Sequence, residues 1–194
     1  MSKPAPDLPA DSAQSILAMP GQSALSGFRI ERLLGVLREA DDCVHSVDAR
    51  FAYFVHLHDP LTDTDRQRLD ALLLSGDSVH RFSTGVRQIY TAPRPGTISP
   101  WSSKATDIIK ACHLDSVIRV ERGVCYAIGI EGNHPLDDFV RWQLFDRMTE
   151  FSFVEPSDAH ALFDVHSPEP VNTISLGDNG RSALELANLD LGLA

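Results

Sequence analysis

The sequence predicts an α+β fold in which two helix–strand–helix repeats, related by a pseudo-two-fold axis, form one sheet with helices packed on it. Three observations predict it. Two long segments, Val44–Leu57 and Val117–Ile130, are rich in β-branched and aromatic residues and largely alternate, as half-buried strands do. Amphipathic helical patterns stand before and after each of them. The whole order then recurs along the chain.

The first 14 residues are rich in Pro, Ala, Asp and Ser and read as a disordered lead. Residues 15–19 form a short strand candidate. Ile30, Leu33, Leu34 and Leu37 follow the i, i+3, i+4, i+7 rule, which predicts a helix over about 24–40. Val44–Leu57 is the first long strand; Asp59-Pro60 ends it, and residues 61–74 read as a second helix. Residues 87–91 are a short strand. Ala105, Ile108, Ile109 and Cys112 give a third helical stripe. Val117–Ile130 is the second long strand, residues 136–148 a fourth helix, and 151–154 a last short strand. This assigns residues 15–155 to one domain.

The recurrence reaches individual residues. Asp42, Val44, Val47, Asp48, Phe51, Tyr53, Val55 and Leu57 lie over Asp115, Val117, Val120, Glu121, Val124, Tyr126, Ile128 and Ile130 at a constant offset of 73. Pro60-Leu61, Asp63, Arg66 and Leu69 match Pro135-Leu136, Asp138, Arg141 and Leu144 two residues further on. Two copies of one unit packed about a pseudo-two-fold account for this.

Residues 156–178 read as a linker with a short helix candidate at 158–163, followed by Ser167-Pro168-Glu169-Pro170. Over residues 179–194, Leu184, Ala187 and Leu191 at helical spacing predict the first helix of a further domain. It reads as running to Ala194 without a C-cap signal, as expected of a helix cut short within a longer chain.

Composition bounds the function. The net charge of −10 argues against a general nucleic-acid binder and against docking on anionic lipid. Cys43, Cys112 and Cys125 form no CxxC pair, so a zinc or disulfide framework is not expected and a reducing compartment is. With no spanning apolar run and no signal-peptide core, a cytoplasmic protein is expected. The charge is uneven: residues 81–122 hold seven Lys/Arg against three Asp/Glu. Such an island suits a small anionic ligand or an acidic partner surface, and chance clustering is the alternative.

The most distinctive stretch is residues 94–107, which joins a strand to a helix. Ser99 is a good N-cap and Pro100 suits the first helical position. Thr97, Ser99, Ser102 and Ser103 bring hydroxyls to the helix start, with Arg94 before it and Lys104 in its first turn. A helix N-terminus with free N–H groups and nearby cations attracts phosphate or carboxylate. Ordinary capping explains one or two of these residues, and both readings stand. Trp101 is expected to be exposed or at an interface. The stretch is not a P-loop, and the chain has no nucleophile elbow. His56 and His58 share a strand face, but no third ligand is evident, so no metal site is expected.

Residues 94–107, "RPGTISPWSSKATD", resemble the N-terminal signature of the large single-chain form of phosphoribosylformylglycinamidine synthase. "FRIERLL" at 28–34, "ERGVCYAI" at 121–128, "DRMTE" at 146–150 and "GRSALELANLDLGLA" at 180–194 agree with it. That family converts formylglycinamide ribonucleotide, ATP and glutamine into the amidine, ADP, phosphate and glutamate in purine biosynthesis. The resemblance implies an N-terminal domain, a helical linker domain, an ATP-binding synthetase core and a glutaminase, of which this chain matches the first and the start of the second. It implies a duplicated domain similar to a dimer of the small subunit of the multi-chain enzyme. ATP and magnesium belong, by implication, to the full enzyme and not to this chain, and none of the three cysteines matches the glutaminase nucleophile. No catalytic residue is expected here. The implied role is to cover the synthetase cleft, with the synthetase and glutaminase domains as partners and the ribonucleotide at the cleft. Arg94, Thr97, Ser99, Trp101, Ser102, Ser103 and Lys104 are the expected cleft or interface residues. A stand-alone module docking synthetase and glutaminase subunits is the alternative, and an unrelated phosphate-ligand binder a distant third.

Overall fold

The computed structural model describes residues 15–73, 86–132, 136, 138–164, 173–176 and 179–192. The two segments with the strongest strand pattern form β2 (Val44–Leu57) and β4 (Val117–Ile130), with the predicted bounds. Around them lie β1 (Ser15–Ser23), α1 (Gly27–Ala40), α2 (Asp63–Leu73), β3 (Val86–Pro93), α3 (Pro100–Ala111), α4 (Asp138–Trp142) and β5 (Glu150–Phe153). The five strands make one antiparallel sheet in the order β1-β2-β4-β3-β5. The chain is therefore α+β. The long strands run side by side at the sheet centre, and Phe51 faces Val124 across their pairing.

Alternation along the strands sorts the core onto two faces. On one, Val47, Ala49, Tyr126 and Ile128 pack with Leu37 of α1 and Val140 of α4. On the same face Tyr53, Val55 and Val120 pack with Leu69 of α2 and Ile109 of α3. On the other, Ala52, Phe54, Ala92, Cys125 and Phe153 pack with Ala159, Leu162 and Phe163. The last three belong to a 3-10 helix, Pro156–Phe163. The α-helices thus cover one face, as expected, but the segment assigned to a linker closes part of the other. Its apolar residues sit at i, i+3, i+4 and fill the shallow surface left by Ala52 and Ala92.

Other boundaries shift for identifiable reasons. The fourth helix, expected over 136–148, ends at Trp142. Asp146 makes the turn: its Oδ1 accepts from the Met148 N–H at 2.8 Å and its Oδ2 from the Thr149 hydroxyl at 3.1 Å. Arg141 is fastened to β5, with Nε and Nη2 donating to Ser152 Oγ and O, both at 2.7 Å.

The chain divides into two compact units, Met1–Asp164 and Val165–Ala194. In the second, α5 (Gly180–Leu191) buries no side chain and carries an Arg181–Glu185 pair at 3.0 Å. Its C-terminus is capped after all. Gly192 adopts φ +62, and its N–H donates to the Asn188 carbonyl. The expected disordered lead (1–14) and part of the expected linker (165–172, 177–178) lie outside the described residues. No helix among the described residues is long and apolar enough to cross a membrane.

Candidate functional site

The seven expected site residues all fall at the entry to α3, where the structure separates them into two groups. Ser99, Trp101 and Ser102 are committed to holding the helix. Arg94, Thr97, Ser103 and Lys104 are exposed.

Pairing between β3 and β4 ends at Thr91 and Val124, so near Val120 β4 is paired with β2 on one side and has no paired strand on its β3 side. α3 takes that place. The Ser102 hydroxyl donates to the Val120 carbonyl at 2.6 Å, and the Val120 N–H donates to the Thr106 hydroxyl at 3.1 Å. Hydroxyls at i and i+4 share a helix face, so one face satisfies both backbone groups of Val120. Ser99 is the N-cap as predicted, accepting from the Ser102 N–H at 3.0 Å. Its hydroxyl also donates to Glu121 Oε1 at 2.6 Å. Glu121 is 1% exposed, and the same oxygen accepts from the Arg122 backbone N–H at 3.0 Å. A buried carboxylate so bonded fixes the helix start and sits favourably at its positive end.

Trp101, expected to be exposed or at an interface, is half-buried: it stacks on Tyr53 with ring centroids 5.7 Å apart and planes 21° from parallel, and it packs against the core. The outer rim of the loop is different. Thr97 turns back to donate to the Arg94 carbonyl at 2.6 Å, and Ile98 is 59% exposed. Arg94 Nη1 reaches the Met148 carbonyl at 3.4 Å, and Ser103 bonds the Ser99 carbonyl at the same distance. Lys104 makes no hydrogen bond or ion pair with the described residues.

Two members of the basic island, Arg119 and Arg122, turn to different neighbours. Arg119 turns to the 3-10 helix, bonding the Leu162 carbonyl and lying 4.7 Å from the Phe163 ring centroid. Arg122 lies on the helix side, over Phe51 and Trp101. Sequence reasoning missed Arg122 by counting it as charge. Strand alternation with Val120 and Val124 would have placed it on the helix-covered face. His56 and His58 also part ways. His56 is buried against Phe163, and its pKa is lowered by burial and by Arg119. His58 pairs with Asp59 at 2.6 Å.

Two open clefts lie where each of two helices meets a strand. One, of about 410 Å³, is walled by β1 and by Leu61, Asp63 and Arg66. The other, of about 380 Å³, is walled by β3 and by Leu136, Asp138 and Arg141.

A family model described as formylglycinamide ribonucleotide amidotransferase N-terminal matches residues 50–163, more than half of the chain. The match runs from within β2 to the last residue of the 3-10 helix, spanning the α3 entry, Glu121, Arg122 and the second cleft. The chain therefore belongs to the formylglycinamide ribonucleotide amidotransferase N-terminal family, the N-terminal domain of phosphoribosylformylglycinamidine synthase of purine biosynthesis.

Proposed function

We propose that this domain docks on the synthetase portion of the enzyme and covers its cleft, with the α3 entry turned toward formylglycinamide ribonucleotide, and that it performs no chemistry alone. In this reading the synthetase and glutaminase domains are its partners in a cytoplasmic enzyme, ATP and magnesium are held outside this chain, and residues 179–194 begin the next domain. The observation that carries the reading is the division at the α3 entry. Its base is fixed by Ser99, Ser102 and Glu121, while Ile98 and Lys104 stand exposed on that rigid base. A fixed backbone presenting unpaired charge and an apolar side chain suits recognition of something outside the domain.

We also read the domain as two copies of one helix–strand–helix unit. Supporting this, Phe51 and Val124, equivalent at the offset of 73, face one another, and both long strands have 14 residues. The two clefts are walled by the matched residues Leu61/Leu136, Asp63/Asp138 and Arg66/Arg141.

The test is Lys104→Ala in the complete enzyme. KM for formylglycinamide ribonucleotide is expected to rise at least about twofold, the scale of one exposed ionic contact, with Tm unchanged. Unchanged kinetics with a lowered Tm would refute the reading.

A further inference from the structure

We infer that Arg122 is the anchor of an oxyanion-binding site, built from two aromatic rings and directed at a phosphate group on a small ligand. The guanidinium lies over the Phe51 ring, 4.5 Å from its centroid, and over the Trp101 ring at 5.0 Å. The rings come from β2 and from the first turn of α3, and Trp101 is itself backed by Tyr53. The cation therefore lies against rings from two separate elements. Its field reaches Tyr53, whose pKa burial raises and Arg122 lowers.

Both contacts leave the guanidinium N–H groups without a hydrogen bond or ion pair to the described residues. The adjacent carboxylate, Glu121, alternates to the other side of the strand and is occupied by Ser99 and the Arg122 backbone N–H. Arg122 is thus a half-buried cation over two rings, with no counter-charge paired to its guanidinium among the described residues. A planar donor fork matches two oxygens of a phosphate, and contact with two rings reduces the ordering that binding requires. Weakening of the cation's hydration by two rings favours an anion further. The neighbouring Ser99, by contrast, has its hydroxyl consumed on both sides.

The site deepens the reading above, since Trp101 belongs to the same α3 entry, but it is tested without assuming it. The probe is inorganic phosphate, titrated into the 194-residue chain carrying Trp142→Phe, so that Trp101 is the sole indole. A saturable change in Trp101 fluorescence is expected. Arg122→Gln should weaken it about tenfold or more, the scale of a charge-assisted hydrogen bond. Arg122→Lys, which keeps the charge but loses the planar donor fork, should weaken it less than Arg122→Gln. Lys104→Ala should leave it in place. Near-UV circular dichroism confirms that each variant is folded. No saturation, equal binding by Arg122→Gln, or acetate binding as well as phosphate would overturn the inference. If phosphate binds through Arg122 while Lys104→Ala leaves the kinetics of the complete enzyme unchanged, the cleft reading fails and this site stands.

Discussion

Helices α1 and α3 pack on the same face of one sheet at positions 73 residues apart, yet they are fastened to it differently. α3 is bolted by polar contacts: Ser99 to Glu121, Ser102 and Thr106 to Val120, and Trp101 stacked on Tyr53. At the same offset, α1 offers Ser26, Arg29, Leu33 and Phe28. Ser26 makes no side-chain cap, Phe28 is 73% exposed, and the helix is held by Leu37 with Ile30, Leu33 and Leu34. Asp48 stands where Glu121 stands. Shorter by one methylene, it turns to its own strand, accepting from the Ala49 N–H at 2.8 Å and pairing with Arg50 at 3.2 Å. One helix is located by apolar burial, which tolerates small shifts. The other is located by directional bonds, which do not. The rigid end is the one that carries the proposed recognition loop.

The contrast is sharpest at Val120. Ser102→Ala leaves that buried carbonyl without a donor and is expected to cost about 1–3 kcal/mol. Arg29→Ala, at the matching place on α1, should cost no more than about 0.5 kcal/mol. Urea unfolding of both variants checks this, and equal losses would break the comparison. The caps come next. Ser99→Ala should cost about 1 kcal/mol, whereas Ser26→Ala should leave the unfolding midpoint almost unmoved.

A pH-dependent effect lies on the opposite face, where Cys125 occupies the position matched by Ala52. Burial pushes the Cys125 thiol up to about 11, from 9.0. The folded state therefore retains a proton that the unfolded state releases, and stability should fall as pH rises from about 9 toward 11. Cys125→Ala should flatten that slope in thermal melts across this range. A slope unchanged by the substitution would remove the thiol from the account.

The long strands were legible because 14 residues of alternating β-branched and aromatic side chains admit few other readings. The fourth helix was overextended because Leu144 and Phe145 keep helical spacing while Asp146 turns the backbone. The 3-10 helix was read as a helix candidate at 158–163 but placed in the linker, because it is short, begins with proline and finds its partners only at Ala52 and Ala92, far away in sequence. Of the candidate site, Ser99 was readable from local capping chemistry. Trp101 and Arg122 were not, since their environments come from Tyr53 and Phe51 on β2, in the other half. Ser102 and Thr106 sat among hydroxyls that looked available, and only the gap in the sheet beside Val120 explains them.

The meeting of Phe51 with Val124 also bears on how the chain reaches this state. The sheet's central seam joins β2 to β4, with all of α2, β3 and α3 lying between them in sequence. Closing that seam carries the entropy of a loop of about 73 residues before any pairing energy is recovered. Neither half contains both sides of its own core, because Tyr126 and Ile128 of β4 pack with Leu37 of α1, and Tyr53 and Val55 of β2 with Ile109 of α3. The halves are consequently obliged to fold together, in a high-contact-order, slow and cooperative event, and not one after the other as the chain is synthesised.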